Sequence, residues 1–137
     1  MVSRRCLLAL LAIPLLAADS GPGVTLRGKL TVRQGQPATL QTADRQTVTL
    51  EGDDTTSKLL GDSRLSGFEV EARGHFIAPG RFRIDPSHTH SLMVRQNGHL
   101  KLITYWCDVC SIRAYTPGPC VCCQKETTLD LRDPDQL

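Results

Sequence analysis

The tightest constraint on this chain is a run of twenty residues, 105–124, that holds five of its six cysteines. Cys107 and Cys110 form one C-x2-C pair, Cys120 and Cys123 form another, and nine residues separate them. A C-x2-C turn aims two sulfurs at one point, and two such turns facing each other make a tetrahedral S4 cage suited to Zn2+ or iron. The stretch Thr116-Pro117-Gly118-Pro119 supplies the rigid turn that returns the chain from the first pair to the second. Side chains between the two members of such a pair point away from the metal. The ligand set is therefore expected to be Cys107, Cys110, Cys120 and Cys123, with Cys122 spare, although Cys120-x-Cys122 is an alternative second pair.

The pattern resembles a zinc-ribbon or rubredoxin-like knuckle. It departs from that family after each pair, where Ser111 and Gln124 stand in place of the usual glycine. The resemblance implies bound Zn2+, with Cu+ as the rival metal because thiolates suit it and Met93 could assist. Two other chemistries compete for the same sulfurs. In an oxidising compartment five cysteines would close two disulfides and leave one thiol, stapling the tail to the body of the protein. The run Trp106-Cys107-Asp108-Val109-Cys110 also resembles the Trp-Cys-x-x-Cys of thioredoxin-like proteins. That family sets its first cysteine at a helix N-terminus, and too little chain follows here, broken by Pro117 and Pro119, to build the supporting fold.

The compartment is set by the other end of the sequence. Arg4 and Arg5 precede an apolar run, 6–16, and Ala17-Ala18 then offers a small-residue cleavage site before Asp19 and Ser20. The run is shorter than the roughly 20 residues a bilayer span needs, so residues 1–18 are expected to be a signal peptide and the protein exported, periplasmic or secreted. Losing Arg4 and Arg5 lowers the basic residues from 16 to 14, matching the 14 acidic ones. A neutral mature chain has no long-range pull on phosphates, so nucleic acid is not expected as a partner, nor is a membrane span once the leader is gone.

Between leader and cysteines the pattern is β. Residues 24–32 alternate apolar and polar with Gly28 at a bend. Residues 38–42 and 47–50 follow as strands. Thr55 or Thr56 is expected to cap a short helix, 57–60, ended by Gly61. Residues 68–76 and a strand from Arg81 come next, and Asn97-Gly98 joins 92–95 to 100–104 in a hairpin. Three strands, a helical connection and two more strands resemble the order of an OB-fold, a five-stranded Greek-key barrel, over roughly 24–94. Many OB-folds stack bases on aromatic side chains of strands two and three, but residues 38–51 contain no aromatic.

The remaining polar residues point to no catalytic constellation. His88-Thr89-His90 would set both imidazoles on one face of an extended segment, either as solvated loop residues or as further ligands. Asp53-Asp54 and Asp133-Pro134-Asp135 have the look of loop charges, and the tail beyond Leu131 is expected to fray. The sequence thus predicts a mainly β, non-catalytic protein: an OB-like barrel with a C-terminal hairpin over 24–104 and a cysteine knuckle over 105–131. Its partner would be a protein or a small ligand.

Overall fold

A computed structural model describes residues 23–137; the expected signal peptide, 1–18, lies outside them. Nine strands form: β1 (Val24–Thr31), β2 (Thr39–Gln41), β3 (Thr47–Glu51), β4 (Glu69–Ala78), β5 (Arg81–Ile84), β6 (Leu92–Gln96), β7 (His99–Cys107), β8 (Ile112–Ala114) and β9 (Thr128–Arg132). Two short helices, α1 (Asp54–Leu60) and α2 (His88–Ser91), sit in connections. No helix among the described residues is long and apolar enough to cross a membrane.

The first five strands close a barrel in the order β1-β2-β3-β5-β4, with β4 returning to β1. β3 and β5 run parallel and all other neighbours antiparallel, which is the OB-like arrangement. Closure requires β1 to leave β4 for β2 partway along its length. Gly28 marks that point: a Cβ there would lie 2.2 Å from the Gln41 carbonyl oxygen, so only glycine lets the two backbones meet. Strand alternation fills the interior with Leu30, Leu40, Val48, Leu50, Val70, Ala72, Phe82 and Ile84, all buried.

α1 plugs one end of the barrel through Leu59 and Leu60, and Leu65 follows from the next turn. Its cap differs from the sequence expectation. Asp53, not a threonine, accepts from the Thr56 N–H at 2.9 Å, and Thr56 is fully buried instead. A carboxylate one residue after Gly52 reaches the first turn as well as a hydroxyl would, and the helix starts earlier as a result.

β6 and β7 extend the sheet from β4. Asn97 and Gly98 turn at φ 52° and 78°, the backbone that a two-residue hairpin demands. β7 is the structural hinge between the barrel and the cysteines. Its first residues pair with β6, and Leu102 to Trp106 pair with β9, while Tyr105 to Cys107 pair with β8. The tail is ordered further than expected: Arg132 ends β9, and Lys101 holds Asp133 at 2.7 Å. The sequence signal for β9 was its alternation, Thr128-Leu129-Asp130-Leu131, which the nearby cysteines overshadow.

Candidate metal centre

β7 carries Cys107 to its last position, where the residue is 2% exposed. The chain then turns, and Cys110 donates its backbone N–H to the Cys107 sulfur at 3.4 Å. Ser111 at φ 52° reverses the direction into β8, whose Ile112 stands opposite Cys107. The second knuckle repeats this plan. A bridge between Pro119 and Glu126 opens it, and the Cys120 N–H donates to the Lys125 carbonyl at 2.8 Å. The Cys122 N–H donates to the Cys120 sulfur at 3.4 Å, and Gln124 reverses the chain at φ 63°. Ser111 and Gln124 therefore occupy the left-handed backbone that glycine usually fills. The knuckle geometry survives the departure in residue type.

The two knuckles face each other. The sulfurs of Cys107, Cys110, Cys120 and Cys123 all lie within 4.8 Å of one another, and the Cys107 and Cys123 sulfurs are 3.5 Å apart. A tetrahedron with metal–sulfur bonds of about 2.3 Å has edges of about 3.8 Å, so the four are spaced to hold one ion. The first cysteine of each pair is buried and the second half-buried, whereas Cys122 is exposed and stands outside the group. All five are thiols.

Electrostatics divide the cluster, easing ionisation of one sulfur and opposing it at two others. The N–H groups of Cys123 and Cys122 stabilise the Cys120 thiolate and bring its pKa down to about 7. The Cys110 N–H pulls Cys107 the same way, but burial and the thiols of Cys123 and Cys120 outweigh it and the net shift is upward. Cys110 is pushed up by the thiols of Cys122 and Cys123 and by burial. Four crowded sulfurs cannot all ionise alone; a dication at their centre reverses that logic.

The knuckles are fastened to the barrel by a polar joint that sequence reasoning missed. The Tyr105 hydroxyl donates to Asp62 at 2.7 Å, fully inside the protein. Arg64 holds the other Asp62 oxygen at 3.0 Å, covers the Tyr105 ring at 5.0 Å and donates to the Thr127 carbonyl at 2.8 Å. The Thr127 hydroxyl in turn donates to the Gly118 carbonyl at 2.9 Å. On the other side of β7, Arg113 lies 4.9 Å from the Trp106 ring and donates to Thr104 and Asp130 at 2.7 and 2.9 Å. Nothing local in the sequence joins Asp62 to Tyr105, 43 residues away.

The other sequence candidates fall elsewhere. His88 and His90 sit on α2, a helical turn rather than an extended segment, and His88 Nε2 meets the Tyr115 carbonyl at 2.8 Å. Met93 lies on β6 opposite Glu71. Cys107 ends a strand and a turn follows it, so the helix N-terminus that a thioredoxin-like site uses is not built here. Compared with protein-family models, with curated proteins and with solved structures, the chain matches none of them.

Proposed function

We propose that this chain is an exported, non-catalytic binding protein whose C-terminal module folds around one Zn2+ held by Cys107, Cys110, Cys120 and Cys123. The observation that carries this is the convergence of those four sulfurs, two from each knuckle, with Cys122 left outside. Four protein ligands and no open position suit a structural ion rather than a catalytic one. Cu+ shares the preference for thiolates, but a four-sulfur tetrahedral set favours zinc. Bound there, the ion would neutralise the thiolates and lock the two knuckles together. The leader pattern of 1–18 supports export. The aromatic-free segment 38–51 supports a barrel face that serves a protein or small ligand instead of nucleic acid.

One observation favours a second reading. The Cys107 and Cys123 sulfurs are near neighbours, and in an oxidising compartment such a pair could close into a disulfide that staples the module. Metal content and free-thiol count on purified protein and on the five single Cys→Ser variants separate the two. Under the zinc reading the parent holds one equivalent of metal. Substitution of Cys107, Cys110, Cys120 or Cys123 removes it, and Cys122→Ser keeps it. A metal-free parent with at most one free thiol supports the stapled domain. Metal lost in Cys122→Ser but kept in Cys123→Ser would make the second pair C-x-C.

A further inference from the structure

The strand register assembles a row of charged side chains on the outer surface of the barrel. Gln41 of β2 stands beside Lys29 of β1, Lys29 beside Glu69 of β4, and Glu69 beside Arg95 of β6. One step along, Arg27 faces Glu71. The β2–β3 loop borders this row with Thr42 and Arg45, and the result is a groove of about 430 Å³. It is not the face of strands two and three: β6, an addition to the five-stranded barrel, supplies Arg95.

Four cations, Arg27, Lys29, Arg45 and Arg95, and one carboxylate, Glu69, line the groove, and Glu71 pairs with two of those cations. Glu71 is buried and already engaged, at 3.2 Å from Arg27 and 3.4 Å from Arg95, and it holds both guanidiniums in place. Glu69 is exposed and weakens the positive field without cancelling it. Among the described residues, Lys29 and Arg45 form no ion pair, and Arg95 Nε is shielded from solvent without a hydrogen-bond partner. Arg45 also sits at φ 64°, a left-handed position where glycine would be unstrained. Lys29 and Arg45, both exposed and without an ion pair among the described residues, leave two positive charges in the groove open to an anion that arrives from outside.

We propose that this groove binds an acidic oligosaccharide. Arginine forks match carboxylate and sulfate geometry, and the exposed amide of Gln41 suits sugar hydroxyls. No aromatic side chain lines the groove, so bases would find nothing to stack on, and Ala43 and Val70 offer too little apolar surface for a lipid tail.

The test is fluorescence polarisation on the full purified chain at low and moderate salt. The probes are a labelled sulfated heparin-type tetrasaccharide, an oligogalacturonate, a neutral oligosaccharide of equal length and an oligothymidylate. Binding of either acidic probe with none of the neutral one is expected, and the acidic probe that binds names the anion. Arg45→Gly and Lys29→Gln together should weaken it at least tenfold. Arg45→Gly relieves its turn, so its melting temperature should equal or exceed the parent's, and a weakened affinity then reports the lost side chain. Three results would overturn the proposal: no binding of either acidic probe at millimolar concentration, affinity unchanged in the double variant, or tighter binding of the oligothymidylate.

Discussion

The barrel and the cysteine module are held by different means, though β7 runs through both. In the barrel, cohesion is spread over many side chains: Leu30, Leu40, Phe82, Ile84, Leu92 and Val94 are all essentially inaccessible to water. Burying each contributes about 1.5–3 kcal/mol, so no single one decides whether the barrel forms. Between Asp108 and Glu126 the only buried residue is Cys120. The apolar side chains at the knuckle tips, Val109 and Val121, are 58% and 85% exposed. Fixing each backbone residue costs about 1–2 kcal/mol, which burial in this segment does not offset. A module of this kind concentrates its stability in four sulfur atoms and whatever joins them.

Under the zinc reading, that contrast is broken most severely by removing the ion. Treating reduced, zinc-loaded protein with a strong chelator should release the metal completely and abolish amide-exchange protection across residues 108–126. Protection in β1 to β6 should remain. Hydrogen exchange read by mass spectrometry checks this, and equal loss in both regions would show that the barrel depends on the module after all.

The joint between the two regions is the next largest effect. Tyr105→Phe keeps the ring under Arg64 and removes the hydroxyl that donates to Asp62. A buried carboxylate losing one of its donors should destabilise the protein by about 1–3 kcal/mol in denaturant titration. If the joint couples the regions, the loss is smaller in metal-depleted protein, where the module no longer holds Thr127 against Arg64.

Acid probes the same joint more gently. Burial alone would raise the Asp62 pKa, but hydrogen bonds from Arg64 and Tyr105 outweigh it and the folded value lies below the ordinary one. A depressed folded pKa gives stability that is present above the unfolded value, about 3.9, and fades as pH falls toward the folded value. Stability of the parent should therefore decline below about pH 4 more steeply than that of Asp62→Asn. Melting temperatures between roughly pH 2 and 6 measure the difference, and parallel curves would remove Asp62 from the account.

Much of the barrel was legible because its signals are local. Alternation over β1 and β4, the break at Gly52 and the Asn97-Gly98 turn each act within a few residues. The clustering of Cys107, Cys110, Cys120 and Cys123 was legible for the same reason, since a C-x2-C turn specifies its own geometry. What escaped was long-range. Asp62 reads as an ordinary loop carboxylate until the fold brings Tyr105 to it. The groove depends on four strands in register, and no local pattern announces that Lys29 and Arg95 flank the same glutamate. The cap at Asp53 was misassigned because Asp and Thr compete for one role and only burial of Thr56 separates them.

The smallest expected effect concerns the two knuckle reversals. Ser111 and Gln124 follow their cysteine pairs at φ 52° and 63°, and both are exposed. A side chain in the left-handed region costs about 1–2 kcal/mol relative to glycine, through the approach of Cβ to the carbonyl that follows. Glycine gives back part of that by gaining freedom in the unfolded chain, about 0.4–1 kcal/mol. Neither native side chain donates or accepts any hydrogen bond among those found in the described residues, so substitution removes strain and little else. Ser111→Gly and Gln124→Gly should therefore each stabilise the protein by about 0.5–1 kcal/mol, and their effects should add because each strain is local to its own turn. The gain belongs to the module, not the barrel. It should appear as slower metal release to a competing chelator, with protection in β1 to β5 unchanged. Faster release in either variant would mean that the serine or glutamine is a working part of the knuckle, and that glycine is not its equivalent here.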